Sequence, residues 1–129
     1  MKRSLNVVGC PPATQDVLLN LKNRQWAIRN IAYGPPNPTI RNDAYWEFLA
    51  LGWGTTAAVA RTMRCGNCAA FNVSPRIRRC IETGVGGDPR DVDPFIKAGE
   101  LGYCMSFKFK CAASRTCRAW VAGGPVKAE

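Results

Sequence analysis

The stretch Arg64-Cys65-Gly66-Asn67-Cys68-Ala69-Ala70-Phe71 decides the fold of this chain of 129 residues. It contains a Cys-x2-Cys hook, a spacing typical of proteins that bind a metal centre through sulfur. Six of the chain's seven cysteines lie between residues 65 and 117. The four that follow the hook are Cys80, Cys104, Cys111 and Cys117. Because the chain contains no histidine, a metal centre in this half would be held by sulfur.

Length and composition place the chain among globular proteins, as one domain or as a small domain with an N-terminal extension: 47% of its residues are apolar and 21% are charged. No apolar run approaches the roughly 20 residues that a membrane-spanning helix needs. Residues 1–12 lack the apolar segment of a secretory signal. We therefore expect a protein that is not secreted, contacts no membrane and is made in a reducing cytoplasm. There, clustered cysteines more often bind metal than form disulfides.

The excess of basic residues gives a formal net charge of +9. Such a charge suits contact with nucleic acid or with an acidic protein surface. The densest basic group is Arg76, Arg78 and Arg79, and three charges on one helix usually form a solvated face. Direct nucleic-acid binding is therefore possible but not favoured.

The residues that most enzymes use for catalysis are missing or scattered. Without histidine the chain cannot build imidazole acid–base chemistry or a His-containing triad. Its nine acidic residues show no paired spacing that would suit hydrolysis. The sequence therefore predicts a protein that is not an enzyme, with no catalytic residue and no small-molecule substrate.

Residues 1–63 are predicted to form an N-terminal arm followed by helices. Thr14 is the expected N-cap of a helix that runs to about Ala32. Its apolar residues recur at helical spacing and are expected to face the core; they are Val17, Leu18, Leu21, Ile28 and Ile31. After the proline-rich segment 33–38, short helices are expected from Tyr45 to Leu51 and from Ala57 to Met63.

Residues 64–129 are predicted to form a loop-rich, cysteine-rich domain. Ser74 and Pro75 are expected to begin a helix that ends near Gly84, its C-terminal cap. A loop is expected over residues 84–94, and a short strand where phenylalanines alternate with lysines at 107–110. The fold class expected for the whole chain is a small, α-containing, largely irregular domain that a metal or cluster stabilises.

Two kinds of metal centre compete for these cysteines. Structural zinc is commonly held by two short paired hooks, whereas this half has one hook and several single cysteines. A [4Fe-4S] cluster accepts thiolates from dispersed loops, so the spacing favours the cluster over zinc, with disulfides or free thiols as a third interpretation. Cys80 and Cys111 are expected to pair with one another, to replace a ligand or to remain as buried thiols. Cys10, beside two prolines, is expected to have no partner.

The sequence around the cysteines resembles the ligand pattern of high-potential iron–sulfur proteins. The similar segments are Cys65-Gly66-Asn67-Cys68 with Phe71, Gly102-Tyr103-Cys104 with Phe107, and Cys117-Arg118-Ala119-Trp120. In that family one Cys-x2-Cys hook and two single cysteines hold a [4Fe-4S] cluster, and a tryptophan after the last ligand helps to enclose it. The resemblance implies that the ligands are Cys65, Cys68, Cys104 and Cys117. It also implies that Phe71, Tyr103, Phe107 and Trp120 keep water away from the cluster.

The whole chain also resembles small proteins that are encoded by tailed bacteriophages, especially marine and cyanobacterial ones. The similar stretches are Tyr33-Gly34-Pro35-x-Asn37-Pro38, Arg64-Cys65-Gly66-Asn67-Cys68-Ala69, Gly99-Glu100-Leu101-Gly102-Tyr103-Cys104 and Lys110-Cys111-Ala112-Ala113-Ser114-Arg115-Thr116-Cys117. This resemblance implies a minor capsid or tail component of a virion, in which the cluster stabilises the fold by cross-linking it. Its partners would be other virion proteins in a symmetric assembly. The alternatives are a soluble one-electron carrier and a zinc-bound module that binds a protein or nucleic acid.

Overall fold

The computed structural model describes residues 9–86, 96–97 and 100–129. Its helices are α1 (Pro12–Gln15), α2 (Val17–Ile31), α3 (Asp43–Trp53), α4 (Ala57–Ala60) and α5 (Pro75–Val85), and its strands are β1 (Phe71–Asn72), β2 (Leu101–Cys104) and β3 (Phe109–Ala112). The start of the expected N-terminal arm and most of the expected loop over residues 84–94 lie outside the described residues. No helix in the described part of the chain is long and apolar enough to cross a bilayer.

The three strands form one antiparallel sheet in the order β1-β2-β3. Phe71 in β1 pairs with Cys104 in β2, and Leu101 in β2 pairs with Ala112 in β3. The sequence predicted a short strand near residue 109 but not a sheet. The architecture is therefore mixed α/β, with a helical N-terminal half as expected and a C-terminal half that is more regular than expected. The division at residue 63 stays a prediction.

The first long helix begins later than the sequence predicted. The chain forms α1, becomes extended at Asp16, and then enters α2. Asp16 is the N-cap, because its side chain accepts a hydrogen bond of 3.1 Å from the backbone N–H of Leu19. The predicted cap, Thr14, is buried and donates its hydroxyl to the Pro11 carbonyl at 2.7 Å. Thr14 therefore stabilises α1 and caps nothing in α2.

Most of the apolar face predicted for this helix is not in the core. Leu18 is 77% exposed, and Val17, Leu21 and Ile28 are also exposed. The fifth predicted residue, Ile31, is half-buried and packs against the buried group that contains Ala27, the fully buried residue of α2. The helical period was correct, but the predicted inward face was wrong for four of its five residues.

The remaining helices follow the sequence more closely. α3 continues two residues beyond the predicted end, because the left-handed backbone that stops it is at Gly54. α4 is shorter than predicted and is capped by Thr56, which accepts from the N–H of Val59 at 3.2 Å. Ser74 caps α5 as predicted, but α5 runs through Gly84 to Val85, and its C-cap is Gly86.

The described part of the chain buries three groups of side chains rather than one. The first group joins α1, α5 and β2 around Ile77, Ile81 and Tyr103. The second joins α3 and α4 around Trp46 and Leu49. The third lies between them and contains most of the cysteines. The middle group thus connects the two halves of the chain.

Gly84 has a steric role that the predicted C-cap did not anticipate. It lies inside α5, where a Cβ atom would overlap the carbonyl oxygen of Thr14 in α1. The two helices can pack only because no side chain stands between them.

Gly84→Ala is therefore expected to destabilise the protein by about 1–3 kcal/mol or more, as overpacking does. The matched control is Gly52→Ala in α3, where an added Cβ meets nothing within 4 Å. There alanine should be neutral or stabilise by up to about 1 kcal/mol, since it favours helix more than glycine. Denaturant unfolding of both variants is the measurement. Equal stabilities of the two variants would contradict the close α1–α5 contact.

Candidate metal centre

Five of the seven cysteines line a single cavity, which we call the thiol cavity. They are Cys65, Cys68, Cys104, Cys111 and Cys117. The other lining residues are Tyr33, Ala70, Phe71, Phe109, Thr116 and Trp120. The structure therefore brings all four sequence-predicted ligands together and adds Cys111. Of the four predicted enclosing aromatics, Phe71 and Trp120 line the cavity, Phe107 packs beside it, and Tyr103 belongs to the core around α5.

The hook is held in place by backbone hydrogen bonds to a distant part of the chain. Residues Cys65–Asn67 form one 3-10 turn, closed by the Cys68 N–H on the Cys65 carbonyl at 2.9 Å. The N–H of Cys65 donates to the Arg115 carbonyl at 2.6 Å, and the N–H of Gly66 donates to the Ala113 carbonyl at 2.9 Å. These two bonds bring the hook against the segment that leads into Cys117.

Asn67, between the two hook cysteines, organises the rim of the cavity. Its Oδ1 accepts from the Arg64 N–H at 3.1 Å and from the Trp120 indole Nε1–H at 2.9 Å, while its Nδ2 donates to the Thr62 carbonyl at 2.7 Å. Sequence reasoning assigned no role to Asn67. The available signal was its position, because an asparagine inside a tight turn often bonds nearby backbone.

Two of the single cysteines have backbone N–H groups directed at their sulfur atoms. The N–H of Phe107 lies 3.4 Å from Cys104 Sγ, and Ser106 also contributes a backbone hydrogen bond to this thiol. Ala119 contributes a backbone hydrogen bond to Cys117. Such donors stabilise a thiolate and orient it, which is how proteins support metal-bound sulfur.

Cys111 is placed differently from the four predicted ligands. It lies within β3, is fully buried, and shares a side-chain hydrogen bond with Cys65. Its expected pairing with Cys80 was wrong. Its position on the thiol cavity leaves open the predicted alternatives of a substitute ligand or a buried thiol.

The expectation that Cys10 has no partner was also wrong. Cys10 forms a disulfide with Cys80, 70 residues further along the chain. The bond joins the start of α1 to α5, next to the Gln15 side chain, which donates to the Cys80 carbonyl at 2.8 Å. A pairing over this separation leaves no signal in local sequence. The sulfur chemistry of the chain is thus divided between one disulfide and five thiols.

Burial favours the protonated form of three of the cavity thiols. It raises the pKa of Cys117 to about 12, that of Cys111 well above its usual value of 9.0, and that of Cys104 in the same direction. Thiols with such raised pKa values are protonated at neutral pH and are poor nucleophiles. A metal that binds them must displace their protons.

The free space in the thiol cavity is narrow. Its volume is about 20 Å³, which is about the space of one water molecule. In the described part of the chain, no group of three or more Cys, Asp or Glu side chains is placed around a point where it could hold a metal ion. An eight-atom cluster needs more room than one water molecule, so its binding requires the thiol side chains to turn away from one another.

The chemistry of the cavity nevertheless suits an iron–sulfur cluster. Its donors are thiols, and its walls are aromatic and aliphatic apart from two hydroxyl groups, on Tyr33 and Thr116. The Tyr33 hydroxyl accepts from the Ala112 N–H at 3.0 Å. The Thr116 hydroxyl is the buried side-chain polar atom that lacks a partner within the described residues. A sulfur-rich ligand would give that hydroxyl an acceptor.

An open groove lies beside Trp53, whose ring is near that of Trp120. The ring of Trp53 lies 6.5 Å from that of Trp120, centroid to centroid, and donates its indole N–H to the Arg118 carbonyl at 3.0 Å. Trp53 lines a groove of about 590 Å³ together with the exposed side chains of Phe48 and Leu51. Aromatic rings therefore lead from the thiol cavity to a partly apolar surface.

Comparison with known proteins gives no relative for this chain. No protein-family model matches the sequence, and neither a curated protein nor a solved structure matches it.

The protonation of the three tyrosines gives a test of this interior. Burial is the main cause that raises the pKa of Tyr33 and Tyr45 far above 10.0 and that of Tyr103 to about 12. The native protein should therefore show no tyrosinate absorbance at pH 10.5, whereas the denatured chain should be about half ionised near pH 10.

The direction in which stability changes with pH follows from the same raised tyrosine pKa values. Between pH 10 and 12 the tyrosines of the folded state bind more protons than those of the unfolded state, so their contribution to stability is full below pH 10 and falls as the pH rises. The buried thiols, whose pKa values are also raised, act in the same direction from about pH 9 upward. Ultraviolet titration of the native and denatured protein is the measurement. Tyr33→Phe is the control, since it removes one of three titrating groups. Native tyrosinate at pH 10 would contradict the buried hydroxyls.

Proposed function

We propose that this chain is an iron–sulfur protein in which a [4Fe-4S] cluster, bound by Cys65, Cys68, Cys104 and Cys117, has a structural role. The observation that carries the proposal is the convergence of five reduced cysteines on one aromatic-lined cavity. A bound cluster supplies strong iron–thiolate bonds and a one-electron couple. Cys111 is the fifth thiol and stays outside the ligand set, because it lies within a strand and is hydrogen-bonded to Cys65.

The structural role is supported by the small size of the strands in the C-terminal half. They contain two to four residues each, fewer than the roughly five to six residues of a typical strand. The four proposed ligands come from the hook, from the end of β2 and from the segment after β3. Bonds from one cluster to all three would cross-link the half in the way that metals stabilise other small domains.

We propose that the chain belongs to a virion, where it is a minor capsid or tail component. It would be made in the host cytoplasm. The resemblance to small phage proteins supports it, and so do the apolar side chains that α2 and α3 leave in solvent. Leu18 and Leu51 are 77% and 83% exposed. Exposed apolar residues that lie together, as Phe48 and Leu51 do on the groove, commonly mark contacts with other proteins, and the partners proposed here are neighbouring virion proteins. Mass spectrometry of purified particles tests this setting, and absence of the chain from them would contradict it.

A soluble one-electron carrier is the second candidate, and the Trp120–Trp53 pair favours it. These rings connect the thiol cavity to the surface groove, where a redox partner could bind. Reversible voltammetry with an intact fold would support the carrier. Loss of the cluster on a single oxidation or reduction would favour the structural role. The zinc-bound module is less favoured, since structural zinc is commonly held by two short paired hooks and this chain has one.

The cluster itself gives the principal prediction. Protein purified without oxygen should be brown, with about four irons and four sulfides per chain. Separate alanine substitutions of Cys65, Cys68, Cys104 and Cys117 should each remove most of the colour and iron, because each removes a ligand. Cys111→Ala is the matched control from the same cavity and should retain the full cluster.

The same measurements contain the outcomes that would overturn the proposal. A colourless wild-type protein with bound zinc would contradict the cluster and support the zinc-bound module that binds a protein or nucleic acid. Colourless protein without metal would leave five thiols with no metal role. Loss of iron in Cys111→Ala, with retention in one of the other four variants, would change the ligand set but keep the cluster.

A further inference from the structure

Thr116 combines complete burial with a hydroxyl that has no partner. Its side chain is 0% exposed, it lines the thiol cavity, and its Oγ1 accepts or donates no hydrogen bond within the described part of the chain. Proteins rarely retain such a group, because a buried hydroxyl without a partner loses its bonds to water and gains nothing. The exception is usually a site whose partner is a ligand or an ordered water.

The backbone on both sides of this hydroxyl is fixed. The N–H of Thr116 donates to the Gly34 carbonyl at 2.7 Å, and its carbonyl accepts from the Gly34 N–H at 3.0 Å. The Tyr45 hydroxyl of α3, which donates to the Ala32 carbonyl at 2.6 Å, also lies 3.4 Å from the Thr116 carbonyl. The main chain of Thr116 thus has its partner in the loop before α3, whereas its side chain faces the thiol cavity without a partner within the described residues.

The thiol cavity contains few hydrogen-bond partners for the Thr116 hydroxyl other than sulfur atoms. Besides Thr116 itself, the polar side-chain groups of the cavity's lining residues are the five thiols, the Tyr33 hydroxyl and the Trp120 indole N–H. The indole N–H already donates to Asn67 Oδ1 and to the Arg64 carbonyl, each at 2.9 Å. A buried water would need two to four polar partners to be stable there, and neutral thiols are weak ones. Anionic sulfur is a much better acceptor for a hydroxyl, since bonds to charged groups are the stronger ones.

We propose that Thr116 is a positioning residue whose hydroxyl donates a hydrogen bond to an anionic sulfur of the cluster. This inference rests on the proposed function. A hydrogen bond to cluster sulfur withdraws electron density from it, so it favours the more reduced state and raises the reduction potential. It also strengthens retention of the cluster, as outer partners of metal ligands do.

The test compares Thr116→Val with Thr116→Ser in cluster-loaded protein purified without oxygen. Valine keeps the branched shape and removes the hydroxyl, whereas serine keeps the hydroxyl. The expected result for valine is a full iron content, a more negative reduction potential, a shifted iron–sulfur stretching frequency in resonance Raman spectra, and loss of iron to a chelator about 10- to 100-fold faster. Serine should match the wild type in potential and Raman frequency.

The melting temperature of the metal-free chain supplies an independent measurement. In it, the valine substitution should be stabilising, whereas in the cluster-loaded protein it should weaken retention of the cluster. Once a chelator has removed the cluster, Thr116→Val should melt at a higher temperature than the wild type, because it no longer buries an unpaired hydroxyl. A residue with a purely packing role would change both forms in the same direction. The thiol cavity therefore gives the substitution opposite effects with and without the cluster.

The possible failures are distinguishable. A wild-type protein that holds a cluster, with a valine variant of identical potential, Raman spectrum and iron loss, overturns the role of Thr116 and leaves the proposed function standing. A wild-type protein that holds no cluster overturns both. If valine prevents folding, Thr116→Ala removes the same hydroxyl, and an alanine variant with the potential, Raman spectrum and iron loss of the wild type overturns the role of Thr116.

Discussion

The fold depends on two backbone hydrogen bonds between the hook and the segment that follows β3. They run from Cys65 to Arg115 and from Gly66 to Ala113. Nearly fifty residues separate the partners in sequence, and these bonds bring the first two cavity cysteines beside the last one. Closing a loop of that length costs chain entropy, so the contacts inside the thiol cavity have to offset it. The position of the cavity between the two other buried groups follows from this closure.

Arg64 extends the same constraint into the helical half. Its guanidinium lies 4.8 Å from the Trp46 ring centre and donates to the Ser114 carbonyl at 2.7 Å. The Trp46 ring belongs to the core between α3 and α4, whereas Ser114 lies in the segment that the hook contacts. One long side chain therefore connects the helical core to the wall of the cavity. This is how a chain with three small buried groups maintains one geometry at its cysteines.

The sequence allowed accurate prediction where a local rule decides the structure. Ser74 followed by Pro75 began α5 as expected, since an N-cap and a proline at the first helical position need no tertiary contact. Leu18 shows the limit: a helical period identifies an apolar face but cannot say whether another part of the chain covers it. Cys10 shows a second limit, because a disulfide over 70 residues depends on where α1 lies against α5. The four proposed ligands came from a resemblance, and the fifth cavity cysteine, placed by the register of β3, had no local signal.

The separation of the two sulfur environments constrains any function for this chain. The Cys10–Cys80 disulfide forms by oxidation, and the same oxidant would attack exposed thiolates in the cavity. Burial protects the cavity thiols in two ways, because it limits access and raises the pKa of Cys104, Cys111 and Cys117, which keeps them as the less reactive thiols. Bonds to iron, on the proposed function, would protect the four ligands further. Cys111 would then be the one cavity thiol that depends on burial alone, and its place inside β3, away from the rim that Asn67 and Trp120 form, is where burial is most complete.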